Sequence, residues 1–254
     1  MDLELRDRVV LITGAGGGAG PRLAQAFADE GSLVALHHRG GGGGPSRADT
    51  AAEEIVGGGG RAGAFGADLR SSEEIGAMVA SIEAELGAVA VLVTATSAYR
   101  NDRLADLTDE GWEGMLDDML GASFRVARAV TPGMQKARWG RIVNIAARSG
   151  IVGVSRAAHY AAAKAGIIGL TASLAKELGP DGILVNAVAP TQILTHKDGK
   201  PSIPDERASE MATGIPLRRL ATPDDLAGLV LWLGSAANTY VTGQTITLSG
   251  GVQS

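Results

Sequence analysis

The stretch Thr13-Gly14-Ala15-Gly16-Gly17-Gly18-Ala19-Gly20 constrains this chain more than any other, because of what flanks it. It follows directly on an apolar run of strand length, Val9 to Ile12, and leads into a segment with helical spacing that begins near Pro21. Glycines let the backbone turn tightly and approach a ligand closely, while a helix start presents unpaired N–H groups and the positive end of its dipole. A pyrophosphate suits such a place, and the strand-loop-helix context distinguishes it from a plain glycine turn. Gly14, Gly16, Gly17, Gly18 and Gly20 are therefore the expected cradle for a dinucleotide.

The rest of the chain repeats the same alternation. Apolar runs recur at Leu33 to Leu36, Val89 to Val93, Arg141 to Ile145 and Ile183 to Val188, with Arg61 to Ala67 and Thr245 to Leu248 as further strand candidates. Between them, Arg22 to Asp29, Glu73 to Leu86, Gly111 to Met134 and Ala157 to Leu178 carry helical spacing. Repeated βαβ units of this kind predict an α/β fold, a Rossmann-type doubly wound parallel sheet of about seven strands with helices on both faces. With 254 residues, 45% hydrophobic, the chain has the core for one domain over residues 1–254, and no inter-domain linker interrupts it. Its 37 glycines are about twice the average share. Two runs, Gly40 to Gly44 and Gly57 to Gly60, read as flexible loops around a short helix at Ala48 to Val56.

Charge and composition narrow the partners. A formal net charge of −5 and a pI near 5.4 offer no attraction to nucleic acid or anionic lipid. There is no cysteine, hence no disulfide and no thiolate chemistry. No apolar run reaches the length of a membrane span, and Met1 to Arg8 lacks the apolar stretch of a secretory signal, so a cytoplasmic location is expected. The four histidines show no ligand spacing, and no metal is expected. Trp112, Trp139 and Trp232 read as core or subunit packing.

The end of the second strand reads the adenosine ribose in such folds: a carboxylate accepts from a free 2′-hydroxyl, whereas a basic residue suits a 2′-phosphate. Here His37, His38 and Arg39 stand without an acid, which favours NADP (NADPH) over NAD, with Arg39 as the expected contact; the alternative is that Arg39 is a solvated loop charge. Further along, Tyr160 and Lys164 are spaced i and i+4 among alanines, on one helix face. A neighbouring ammonium favours the phenolate form and brings a tyrosine toward a useful range for proton transfer. His159 points about 100° around the helix from Tyr160, a position less suited to catalysis.

On these residues the sequence resembles the short-chain dehydrogenase/reductase family along nearly its whole length. Thr13-Gly14-x-x-x-Gly18-x-Gly20 matches the family's TGxxxGxG element and Tyr160-x-x-x-Lys164 its YxxxK element. Asp68-Leu69 looks like its adenine contact, and Asn186 to Pro190 with Ile193 and Thr195 resembles the segment that holds the nicotinamide amide, Thr191 replacing a usual glycine. The resemblance implies that Tyr160 is the general acid or base, that Lys164 lowers its pKa and holds the cofactor ribose, and that residues 192–216 form a substrate lid. It also implies a homotetramer or homodimer packed through the Gly111 to Met134 and Ala157 to Leu178 helices.

Three positions depart from the family's pattern. Ala147 stands where a substrate-polarising serine is expected, with Ser149 as a substitute if the loop rearranges and Arg148 as a second candidate. Met119 stands at the position of an asparagine that holds a relay water, unless Asp117 or Asp118 reaches in. Thr94-Ala95-Thr96-Ser97 replaces an NNAG segment, with Thr94 expected beside the cofactor. The sequence thus points to an NADP-dependent oxidoreductase acting on a small carbonyl or alcohol, with catalytic candidates Tyr160, Lys164 and Ser149. Two alternatives stay open: a non-redox cyclase, dehydratase or isomerase using Tyr160 for protons, and a non-catalytic NADP-binding protein.

Overall fold

A computed structural model describes residues 2–40, 46–197 and 200–252. Its centre is a seven-stranded, wholly parallel sheet in the order β3-β2-β1-β4-β5-β6-β9. The strands are β1 (Val9–Thr13), β2 (Leu33–His38), β3 (Arg61–Gly66), β4 (Val89–Thr94), β5 (Gly140–Ile145), β6 (Ile183–Pro190) and β9 (Thr245–Leu248). A short antiparallel pair, β7 (His196–Lys197) and β8 (Lys200–Pro201), stands apart from it. The chain reverses its direction across the sheet between β1 and β4, and that switch point opens a crevice at the strands' C-terminal ends.

Both sheet faces are covered, which is why the strands read as continuous apolar runs and not as alternating ones. On one face, Leu11 and Leu92 pack against α3 (Ser72–Glu85), α5 (Ala122–Ala137) and α7 (Ala158–Leu178) through Ile75, Val79, Val126, Val130 and Leu178. On the other, Val10, Ile12, Val91 and Val93 meet α1 (Gly20–Asp29), α2 (Arg47–Gly57) and α9 (Pro223–Gly234) through Leu23, Phe27, Ile55, Leu226 and Val230. The two-residue period of the strands delivers neighbouring side chains to opposite layers. The seven-stranded, doubly wound α/β architecture expected from the sequence is thus present.

Local chemistry corrects two expectations. The run Gly57–Gly60 is no flexible insertion: Gly57 closes α2, and the amides of Gly58, Gly59 and Gly60 bond back to Glu54, Val56 and Ile55. Gly59 takes a φ of +87°, the left-handed turn that lets the chain leave the helix for β3. Ser46 starts α2 with a capping box, its hydroxyl accepting from the Asp49 amide while the Asp49 carboxylate accepts from the Ser46 amide. Gly41 to Gly44, the core of the other run, lie outside the described residues. The second correction concerns the helical stretch from Gly111 to Met134. It divides into α4 (Asp109–Leu116), a π-helical segment over Asp117–Gly121, and α5. Widened turns of this type commonly mark functional sites, and this one points Asp118 at the crevice.

Candidate active site

The crevice is a cleft of about 1340 Å³, lined by the loops that follow β1, β2, β3, β4, β5 and β6. Gly14, Gly16, Gly17, Gly18 and Gly20 form its floor. Two of them have no substitute. Gly14 has a φ of +65°, and a Cβ there would stand 3.0 Å from the Ala95 carbonyl oxygen. A Cβ on Gly20 would come within 2.2 Å of the Ala15 carbonyl oxygen. The loop is therefore folded so that backbone alone faces the cleft, and α1 begins at its end with no side-chain cap. That is a cradle of the shape and polarity an anionic pyrophosphate needs, so these residues fit a dinucleotide.

His37 braces this loop from below. Its Nδ1 accepts from the Gly14 amide at 3.1 Å while its Nε2 lies 2.9 Å from the Ala67 carbonyl oxygen, an arrangement that fixes a neutral ring with the proton on Nε2. Burial pushes its pKa below the ordinary histidine value. His37, read from the sequence as one of three basic residues at the ribose end, is therefore a structural support at the cleft wall, buried and with both ring nitrogens engaged by the backbone. Arg39 does line the cleft, but it is not a solitary charge. Its guanidinium lies 3.2 Å from the Asp118 carboxylate, which also takes Arg70 at 2.7 Å. Asp118 is nearly buried between the two arginines, and it raises the pKa of Arg70 through that hydrogen bond. Asp68 and Leu69, at the end of β3, line the same end of the cleft.

Thr94, expected beside the cofactor, is buried inside the sheet. Its hydroxyl donates to the Asn144 side chain at 2.8 Å, and Asn144 donates to the Thr171 hydroxyl at 2.9 Å. This chain ties β4 and β5 to α7, and the cleft contact falls instead to the next residues, Ala95 to Tyr99.

Tyr160 and Lys164 sit on the first turns of α7 and both face the cleft. Lys164 is almost completely buried, and its Nζ donates to the Ile145 carbonyl at 2.7 Å and the Thr96 carbonyl at 3.4 Å. Burial lowers its pKa to about 8. Tyr160 moves the other way: burial raises its pKa, a hydrogen bond with the Ser97 side chain opposes that, and Tyr99, edge-on at 5.1 Å, adds to the rise. The expectation that Lys164 draws the phenol down is not met here, because its ammonium is directed to two carbonyls and stands 5.9 Å from the ring centre.

Of the departures read from the sequence, Ala147, Arg148 and Ser149 all line the cleft, Ser149 opening the short helix α6 (Ser149–Val152). Met119 is fully buried in a cluster with Met115, Ala163 and Ile167, against which Tyr160 packs. Neither neighbouring acid turns toward Lys164: Asp117 pairs with Arg125, and Asp118 with Arg39 and Arg70. Pro190, Ile193 and Thr195 line the cleft past β6. Ile193 bridges to Ala221, and Thr195 packs on Gly18, where an added Cβ would approach its side chain to 2.9 Å. Beyond them, Ser202, Ile203, Arg207 and Met211, around the start and length of α8 (Asp205–Thr213), overhang the opening. His159 is buried 3.2 Å from Asp102 and is not part of the cleft lining.

Sequence reasoning missed Tyr99 and Arg70 as cleft residues, gave Ser97 no role of its own, and offered Asp118 as a relay group near Lys164, whereas it pairs with Arg39 and Arg70. The only signal was proximity to motif residues: Ser97 and Tyr99 closely follow β4, and Arg70 follows Asp68-Leu69.

A doubly wound parallel sheet, a glycine cradle at its switch point and a tyrosine-lysine pair across the same cleft define a Rossmann-type α/β protein whose cleft fits a dinucleotide. The chain belongs to the short-chain dehydrogenase/reductase family. It matches the Enoyl-(Acyl carrier protein) reductase family over residues 14–253. It is 35% identical to nodulation protein G of Azospirillum brasilense over 98% of this chain and 99% of that one. It is 38% identical to a probable galactose dehydrogenase of Rhizobium meliloti (98% and 96%) and 34% identical to a 3-oxoacyl-(acyl-carrier-protein) reductase of Vibrio cholerae (98% and 99%). The crystal structure of a short-chain type dehydrogenase/reductase from Mycobacterium marinum superposes with a TM-score of 0.87 at 30% identity, covering 98% of this chain and 96% of that one.

Proposed function

We propose that the protein is an NADP-dependent oxidoreductase that interconverts a carbonyl and an alcohol, working most readily as a reductase. The observation that carries this reading is the placement of Tyr160 and Lys164 across one cleft from a loop in which Gly14 and Gly20 admit no side chain. Gly14 to Gly20 would hold the pyrophosphate, Asp68 and Leu69 the adenine, Arg39 the 2′-phosphate, and Lys164 the nicotinamide ribose, with Pro190, Ile193 and Thr195 beside the nicotinamide. When bound, the reduced nicotinamide supplies the hydride.

The residues of the chain supply the proton. Because burial holds the Tyr160 phenol protonated at neutral pH, it is set to donate to a substrate oxygen as the carbonyl carbon is reduced. Residues 192–216 would act as the lid that shuts water out of the cleft, in a single domain over residues 1–254. The relatives that reduce a 3-oxoacyl thioester or oxidise galactose suggest two substrate classes to try first.

The test is incubation with NADPH or NADP and a panel of ketones, quinones, 3-ketoacyl thioesters and aldoses, following nicotinamide absorbance. Turnover of at least one substrate, reduced about 10²-fold or more in Tyr160→Phe, is expected. Absence of any nicotinamide turnover would overturn the reading. A second reading is favoured by one observation, the methyl of Ala147 at the cleft wall where a polarising hydroxyl would serve hydride addition. It is proton transfer by Tyr160 without net redox. Product formed without a change in nicotinamide absorbance, and lost in Tyr160→Phe, would select it.

A further inference from the structure

The loop that leaves β4 reaches the catalytic pair at three points. The Thr96 carbonyl accepts from Lys164 Nζ at 3.4 Å, the Tyr99 ring stands edge-on to the Tyr160 ring at 5.1 Å, and the Ser97 side chain hydrogen-bonds the Tyr160 phenol. The loop is held from beneath as well, since Ala95 and Thr96 press against Gly14 closely enough that a Cβ there would stand 3.0 Å from the Ala95 carbonyl oxygen and the Thr96 Cα. Ser97 itself is exposed to the cleft. Ala147 and Met119, by contrast, bring no hydrogen-bonding group to this wall.

We propose that Ser97 is a catalytic residue of this site, its hydroxyl donating to the Tyr160 oxygen and stabilising the phenolate that remains when the phenol gives up its proton. The inference rests on the carbonyl-reductase reading for its place in a reaction, but its geometry is independent of any substrate. During reduction the carbonyl carbon gains the hydride of the reduced nicotinamide, the π pair of the C=O bond moves to oxygen, and that oxygen takes the phenolic proton. The negative charge then lies on the Tyr160 oxygen, in a half-buried place where partial desolvation already disfavours the phenolate. Lys164 is anchored to two backbone carbonyls, so the hydroxyl left in hydrogen-bond contact with the phenol, between Thr96 and Tyr99 on the same loop, is that of Ser97. A hydroxyl has one donor hydrogen and free rotation, enough to follow the oxygen through both states. Water reprotonates the phenolate before the next turnover.

The test compares Ser97→Ala and Ser97→Thr with the unaltered protein. The first readout is the alkaline titration of the Tyr160 phenol by ultraviolet difference spectroscopy, isolated from Tyr99 and Tyr240 by subtracting each protein's Tyr160→Phe counterpart. The midpoint is expected to rise in Ser97→Ala and to return in Ser97→Thr, with the folded spectrum unchanged in both. The second readout is turnover of any substrate found in the panel. Ser97→Ala is expected to lower kcat about 10- to 100-fold with little change in NADPH affinity, the cost of one hydrogen bond to a charged group. A phenol midpoint unmoved in Ser97→Ala overturns the proposal. If the unaltered protein turns over nothing, the redox reading fails while the titration still decides the role of Ser97.

Discussion

At the scale of single residues, the site is built from side chains whose burial sets their protonation. His37 shows how far this reaches. Its Nδ1 is the acceptor for the Gly14 amide, so protonating it would remove that bond and leave a charge in a buried place. The native ring therefore holds a proton less tightly than the same ring in the unfolded chain, whose ordinary value is 6.5. Above that value both states are neutral and the contribution is complete. As the pH falls below it, the unfolded chain takes up a proton that the native chain refuses, and stability drops by about 1.4 kcal/mol per pH unit until the native ring is also protonated. Urea unfolding at about pH 7.5 and about pH 5.5 is expected to show this loss, and His37→Phe to lack that part of it. The same variant should be less stable by about 1–3 kcal/mol at the higher pH, because the Gly14 amide is left without its acceptor. A pH slope identical in the two proteins would show that His37 does not carry it. His37 also shows why part of the site was not legible in the sequence. Three consecutive basic residues read alike, and only the hydrogen bonds of the folded chain decide that the His37 ring is spent on the Gly14 amide and the Ala67 carbonyl while Arg39 extends along the cleft to Asp118.

At the scale of elements, the strands and the cradle were legible because each is a local pattern with one stable outcome. Buried parallel strands must be apolar on both faces, and a loop carrying Gly14 and Gly20 must hold its backbone against Ala15 and Ala95, where no side chain fits. The π segment over Asp117–Gly121 was not legible. Helical periodicity continues through it, and the widened turn is revealed only by where it sends Asp118. Thr94 was misplaced for a related reason: the strand runs to that residue, one position further than its apolar run, so the hydroxyl is spent on Asn144 inside the sheet. The π segment has a consequence for cofactor choice. Asp118 partly neutralises Arg39 and Arg70 at the end of the cleft proposed to read the 2′-phosphate. Asp118→Asn would leave both guanidiniums uncompensated, and an anion there would be held more strongly. Because Arg39 is largely solvent-exposed, the gain is expected to be only a few-fold in NADPH affinity, with NADH unaffected. Arg39→Ala should weaken NADPH by about tenfold and again leave NADH unchanged. Calorimetric titration of the three proteins with both cofactors checks the pattern, and equal responses to NADPH and NADH would remove Arg39 from the role of 2′-phosphate reader.

At the scale of the whole molecule, α7 is the element whose composition a single chain does not explain. Between Ala158 and Leu174 its only ionisable side chains are His159, Tyr160 and Lys164, two of them buried and the third in the cleft. The opposite side offers Ala165 and Gly169 to solvent, with Ile168 and Ala172 half-buried beside them. A helix without charge around its whole circumference belongs in an interior, and small residues on its outer face allow a second helix to approach closely. Phe124 on α5 and Trp112 on α4, 43% and 38% exposed, extend apolar surface onto the neighbouring helices. We therefore expect a homodimer or homotetramer in which α7 and the α4–α5 side meet copies of themselves. Gly169 permits a clean test, because a Cβ added there meets nothing within 4 Å. Gly169→Glu should leave the isolated chain folded, and by helix propensity slightly more stable, since glycine is about 1 kcal/mol worse than alanine in a helix interior and glutamate is close to alanine. In the assembly the same carboxylate would lie, desolvated, against its symmetry mate. Sedimentation velocity is expected to show the unaltered protein as a dimer or tetramer at micromolar concentration and Gly169→Glu at a smaller mass with unchanged circular dichroism. Ala158 begins the same helix two residues before Tyr160, so loosening this contact should also lower turnover without touching a cleft residue. An unaltered protein that sediments as a monomer would instead make the uncharged face of α7 a solvent-exposed surface, and Gly169→Glu would then change neither mass nor turnover.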